Sequence, residues 1–168
     1  HDLSEADLMS DHLAVLNNGR IEQIGPKREV FSEPHSSFVS GFLGYNIFDG
    51  FVVESRDGGV IVDVKGVRIQ VEAKTLSLGD KVTIVLRPED IILSQKEEVR
   101  EKWQNCRCNM IAGRITEILK MGASAKVHID VGIPLTAYVA TSMLDEFEVG
   151  RSVFLQFKAS AVKPLPKK

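Results

Sequence analysis

The strongest constraint on this chain is a duplication. Asn46-Ile47-Phe48-Asp49-Gly50 returns as Asn109-Met110-Ile111-Ala112-Gly113, an offset of 63 residues. Leu78-Gly79-Asp80-Lys81-Val82 returns as Val149-Gly150-Arg151-Ser152-Val153, and the stretch 85–91 returns as 156–162, both at an offset of 71. The second copy therefore carries about eight extra residues in its middle. Gly-plus-alternation is common to small β domains, but three blocks matching in order point to one repeated unit. Its residues alternate in strand fashion: Val60-Ile61-Val62-Asp63-Val64, then Val67-Arg68-Ile69-Gln70-Val71, with turn residues at Asp57-Gly58-Gly59 and Gly66. Two copies of one small β unit imply paired barrels, or a barrel completed by exchange between copies.

The first 45 residues read differently. Residues 4–11 suit a short helix with Ser4 as its cap. Asn18-Gly19 lies between the apolar runs Leu13–Leu16 and Arg20–Ile24, a hairpin signal because both turn positions favour positive φ. Pro26 suits the first turn of a helix through about Ser32, and Pro34 ends it. A further helical turn over Ser37–Leu43 stops at Gly44. The expected organisation is an α/β segment over 1–45, one β repeat over 46–95, a charged linker over 96–108, solvated or briefly helical, and a second repeat over 109–166.

Composition narrows the class. In 168 residues, 43% apolar and 26% charged side chains suit a globular chain with a real core. No apolar run approaches the ~20 residues of a spanning helix, so no direct membrane insertion is expected. A net charge of −2 argues against a phosphate-gripping nucleic-acid surface. Phe42, Phe48, Phe51, Phe147, Phe154 and Phe157 fall at core-like spacings and form no exposed stacking row. Cys106 and Cys108 are the two cysteines. Neighbours two apart on a strand rarely bridge, so two structural thiols in a cytosolic setting are expected. No second Cys or His pair completes a zinc set, so no metal is expected.

The opening carries a resemblance. His1-Asp2-Leu3-Ser4-Glu5-Ala6, then Leu13-Ala14-Val15-Leu16-Asn17-Asn18-Gly19-Arg20-Ile21 and Gly25-Pro26, resemble the stretch after the last core strand of an ABC-transporter ATPase domain. The resemblance implies that His1 is the switch histidine, which meets the γ-phosphate of ATP in the parent protein and has no partner here. No Gly-x-x-x-x-Gly-Lys-Ser/Thr loop, Mg²⁺-holding Asp-Glu strand or Ser-Gly-Gly signature is present, so this fragment is not expected to hydrolyse ATP. ATP and Mg²⁺ would belong to the parent. The repeats in turn resemble TOBE modules, the OB-like β domains that follow many such ATPase domains. The first copy carries Leu86-Arg87-Pro88-Glu89, and the second is closer to the Mop-type module of molybdate and tungstate proteins, through Asn109-x-x-x-Gly113, Pro134-Leu135-Thr136-Ala137, Gly150-x-x-Val153 and Phe157-Lys158-Ala159-Ser160-x-Val162. The implied fold is mainly β, two OB-like TOBE/Mop-type barrel modules preceded by a short α/β remnant.

The resemblance also implies a site. Mop-type modules hold a tetrahedral oxyanion with N–H groups, hydroxyls and cations. Carried over by position, the site would comprise Cys106, Cys108, Asn109, Thr141, Ser142, Lys158, Ala159 and Ser160. Cys106 and Cys108 stand where the family has Ser and Arg, which removes a bidentate grip. Arg107, next to them, would point to the opposite face of the strand. Arg87-Pro88-Glu89-Asp90 reads as a structural turn with a Glu–Arg contact, and His12 and His35 as surface residues. The implied role is a regulatory region of an ABC importer that senses molybdate or tungstate where two copies form a homodimer. The parent would sit on the cytoplasmic face of the membrane with its permease. The alternative is a TOBE docking and dimerisation module of a sugar, polyamine, sulfate or iron importer, with no anion site.

Overall fold

A computed structural model describes residues 3–56, 58–95 and 107–165. Helix α1 spans Leu3–Met9, so it begins before Ser4 rather than after it. Strands β1 (His12–Asn17) and β2 (Arg20–Pro26) form the expected hairpin, with Asn18 and Gly19 at φ 49° and 77°. Helices α2 (Lys27–Ser32) and α3 (Ser37–Phe42) pack on it. Ser36 caps α3 by accepting from the Val39 N–H at 3.3 Å, and Gly44 leaves the helix at φ 76°. Val15, Val30, Val39 and Leu43 form the small core of this segment.

The repeats build two five-stranded antiparallel sheets. The first copy contributes β3 (Asn46–Arg56), β4 (Gly59–Val64), β5 (Val67–Val71), β6 (Lys81–Leu86) and β7 (Ile92–Ser94). The second contributes β8 (Cys108–Met121), β9 (Ser124–Asp130), β10 (Pro134–Ala140), β11 (Ser152–Lys158) and β12 (Lys163–Pro164). The strand orders are β12-β6-β3-β4-β5 and β10-β9-β8-β11-β7. Each sheet thus holds four strands of one copy and the last short strand of the other. β7 pairs with β11 and β12 with β6, which is the exchange a duplicated β unit allows.

The offsets of the sequence reappear in detail. Both β3 and β8 bulge at matching positions, between Val52 and Glu54 and between Ile115 and Glu117. The 3₁₀ turns Pro88–Asp90 and Ala159–Ala161 match at 71. The extra residues of the second copy lengthen β8, β9 and β10 and add the 3₁₀ turn Thr141–Glu146. One hydrophobic core spans both copies, from Val52, Val62 and Ile84 to Ile115, Ile129 and Leu155. Phe147 and Phe157 join it, whereas Phe42 and Phe51 are exposed; Phe51 falls on the outer parity of β3, opposite its buried neighbour Val52.

The repeated Asn-x-x-x-Gly block has a structural reason. Asn46 donates to the Thr136 carbonyl at 2.9 Å and accepts from the Thr136 N–H at 2.8 Å, which ties β3 to β10. Asn109 does the same to Gln70, at 2.9 and 2.7 Å, and ties β8 to β5. Each amide side chain therefore pairs like a peptide group with an edge strand of the opposite copy. Four residues on, a Cβ at Gly50 would lie 2.5 Å from the Asp63 carbonyl oxygen, and one at Gly113 would lie 2.6 Å from Ile129 and Val131 side-chain carbons. Only glycine permits these crossings.

Two outcomes are expected. Asn46→Ala and Asn109→Ala each leave a backbone N–H and C=O of an edge strand unpaired, and each should cost about 2–3 kcal/mol in urea unfolding. Gln156, only 2% exposed, has neither side-chain polar atom hydrogen-bonded among the described residues, and apolar Val85 holds its position in the first copy. Gln156→Met should raise the urea midpoint, by about 1 kcal/mol in stability.

Candidate functional site

The β8–β11 ladder brings part of the implied set together, with Cys108 opposite Lys158 and Asn109 opposite Phe157. His1 and Cys106 lie outside the described residues, as does most of the charged run expected as a linker. Asn109 is buried and both ends of its amide are engaged with Gln70. The Ala159 N–H donates to the Arg107 carbonyl at 2.7 Å, and the Ala159 side chain is fully buried. Thr141 donates from its hydroxyl to the Gly122 carbonyl at 2.8 Å and from its N–H to Ala123 at 2.9 Å, so it closes the β8–β9 turn. Ser142 beside it is exposed.

Two expectations are corrected. Cys108 is disulfide-bonded, and no free cysteine exists among the described residues, so the expectation of two thiols fails. The alternation that argued against a bridge governs only strand residues, and β8 begins at Cys108. Arg107 likewise precedes the strand. Its guanidinium donates to the Gly58 carbonyl at 3.0 Å, at the far turn of the first copy. In the Arg-Pro-Glu-Asp block the partner of Arg87 is Asp90, at 2.9 Å, because the 3₁₀ turn brings position i+3 back; Glu89 is exposed.

Lys158 and Ser160 do share a wall. They line an open cleft of about 730 Å³ with Arg87, Asp90 and Lys163. Lys158 is the last residue of β11, and Arg87 is its offset partner just after β6. Lys163 arrives on the exchanged strand β12, which pairs with Val85. The opposite wall is Ser32–His35 with Tyr45. Buried Gln23 holds this wall, donating to the Glu33 carbonyl at 3.0 Å and accepting from the His35 N–H at 2.9 Å. The Tyr45 hydroxyl donates to the Phe31 carbonyl at 2.6 Å. Burial first, then the negative charge of Glu89, push the Tyr45 phenol up to about 12. Reading the sequence alone left Arg87 a turn residue and missed Lys163 and Tyr45. The offset that equates Arg87 with Lys158 was the available signal for the first; nothing local marks Lys163.

Among the described residues, no three His, Cys, Asp or Glu side chains gather as a metal site, and no helix is long and apolar enough to cross a membrane.

Comparison with known proteins follows the same lines. Residues 84–163 match the TOBE domain family. A molybdate/tungstate import ATP-binding protein of Pyrococcus abyssi is 35% identical over 167 residues, which is 97% of this chain and 45% of that protein. A spermidine/putrescine import ATP-binding protein of Protochlamydia amoebophila is 38% identical over 137 residues, 79% of this chain and 35% of that protein. The chain thus spans less than half the length of these relatives. The crystal structure of the cytoplasmic molybdate-binding protein ModG, with molybdate bound, superposes with a TM-score of 0.59 at 20% identity, over 72% of this chain and 96% of that one. That likeness is one of fold.

The Tyr45 phenol sets a pH dependence. Its unfolded counterpart ionises near ~10, while the folded state keeps the proton to about 12. The folded state binds more protons in that window, so stability falls as pH rises through it. Tyr45→Phe should flatten the fall, seen as the urea midpoint against pH from 9 to 12.

Proposed function

This chain carries a TOBE domain and resembles the C-terminal part of ABC-importer ATP-binding subunits, and on that premise we propose that it is a regulatory region sensing molybdate- or tungstate-type oxyanions. The observation that carries the reading is the pair Lys158 and Ser160. Both are exposed at the end of β11, in one cleft, and Lys158 has no ion-pair partner among the described residues. An ammonium and a hydroxyl at this spacing supply two of the donors a tetrahedral oxyanion needs. Cys108 faces Lys158 across the β8–β11 ladder. Thr141 and Ser142, in the 3₁₀ turn after β10, would join such a site from a second copy, which makes this a homodimer reading.

In the parent protein, ATP and Mg²⁺ would act at the ATPase domain, with His1 as its switch histidine, held on the cytoplasmic face by a permease that carries the substrate across the membrane. Anion bound between two TOBE regions would favour one dimer arrangement over another. The size of that bias equals the differential affinity for the two arrangements. A second reading has its own support: the structural engagement of Asn109, Ala159 and Thr141, and relatives named for spermidine/putrescine import. There the domain would dimerise and dock without an anion.

Titration calorimetry with molybdate, tungstate and sulfate separates the two. Sub-micromolar binding of molybdate or tungstate, silent with sulfate and weakened at least tenfold by Lys158→Ala, is expected for the sensor. No heat with any of the three would leave the docking module.

A further inference from the structure

The bridge at Cys108 is small, and its setting is cationic. Cys108 is disulfide-bonded, and the sequence holds one other cysteine, Cys106, so within the chain the bridge spans Arg107 alone. A ring that small removes little freedom from the unfolded chain, far less than a bridge across tens of residues. The strand it adjoins is already held. β8 pairs with β11 from Cys108 to Arg114, and Asn109 binds Gln70 through both ends of its amide. The bridge is therefore not what keeps β8 in place. Lys158 faces Cys108 across the ladder, and Arg107 lies between the two cysteines in sequence. Neither cation has an ion-pair partner among the described residues. Positive charge beside a cysteine favours the thiolate, which is the form that exchanges disulfides and the form that reduction releases.

Arg107 joins that bridge to both repeats. Its carbonyl accepts from the Ala159 N–H at 2.7 Å, at the head of a 3₁₀ turn in the second copy. Its guanidinium donates to the Gly58 carbonyl at 3.0 Å in the first. Gly58 is at φ 79°, and a Cβ there would overlap the guanidinium. We propose that Cys106 and Cys108 form a reversible thiol–disulfide couple, whose oxidised ring fixes Arg107 as a clasp between the two copies. The reductant is a thiol. Its thiolate attacks one sulfur of the bridge, the protein S–S bond breaks, and a mixed disulfide forms. A second thiol displaces the remaining protein sulfur. Two electrons and two protons pass to Cys106 and Cys108, and the reductant leaves as its own disulfide. On the cytoplasmic face proposed above, where thiol pools hold cysteines reduced, a bridge that forms is a redox-responsive one. The couple stands whether or not the domain binds an anion. Opening the ring frees the Arg107 backbone, so the Ala159 N–H loses its fixed acceptor. The Asn109–Gln70 pair, on the strand beyond, keeps both of its bonds.

The test equilibrates the 168-residue chain with mixtures of reduced and oxidised glutathione, and counts free thiols by alkylation and mass. The mixtures should interconvert a bridged form and a form with two free thiols, with little change in the urea midpoint. Amide hydrogen exchange at Ala159 should run about tenfold faster or more in the reduced form, and exchange at Gln70 should stay the same. Cys108→Ser should exchange at Ala159 like the reduced form, whatever the glutathione ratio. Lys158→Met should move the ratio at half-reduction about threefold or more toward reduced glutathione, because the thiolates lose a stabilising cation. Two free thiols at every ratio, a bridge that no ratio opens, or a bridge between two chains on a non-reducing gel would each overturn the couple. Interconversion that leaves Ala159 exchange unchanged overturns the clasp, and the proposal with it.

Discussion

Two asparagine side chains hold this architecture closed. Each repeat yields a small curved sheet with an edge at its third strand, β5 or β10, and an unpaired edge beside another sheet is a liability. Asn46 and Asn109 meet those edges with one donor and one acceptor each, in the spacing of a peptide group. An Asp could accept but not donate, and a Ser could not reach both groups. The glycine four residues later follows from the same crossing, because the strand carrying the asparagine must pass close to its neighbour. Exchange of β7 and β12 adds backbone ladders in the same two directions. The result is a single core shared by two copies, so neither sheet has a complete set of neighbours without the other.

Much of this was legible in the sequence, because the copies annotate one another. A lone Asn-x-x-x-Gly is weak; its recurrence at a fixed offset, with a second block following at another, marks equivalent strands. The hairpin at Asn18-Gly19 was legible for a local reason, the positive φ both residues adopt. The exchange itself was only one of two options. β7 and β12 are three and two residues long, and a strand that short carries no pattern that says which sheet it joins. Helix α1 began earlier than its capping signal, as helix ends often do.

The site was less legible than the fold. Position-by-position carry-over names residues that meet an anion in relatives, but here Asn109, Ala159 and Thr141 are already engaged in holding strands and turns. Lys158 and Ser160 came from the same carry-over, and both lie exposed at the end of β11. Lys163 escaped because its place beside Arg87 depends on the exchanged strand, and Tyr45 because its neighbours are supplied by the segment before the barrels. The cysteine reading failed at a boundary: alternation speaks for strand residues, and β8 starts at Cys108.

The exchanged strands also change what the connection between the copies means. In an ordinary tandem array, cutting the linker releases two modules that each keep their own sheet. Here a nick anywhere in 96–106 would leave β7 on one piece and its partner β11 on the other, and likewise β6 and β12. The pieces would remain bound as a two-chain complex, each serving as the other's missing edge. For inheritance the same arrangement is a ratchet: once the copies had traded their last strands, neither could be lost without unmaking its twin.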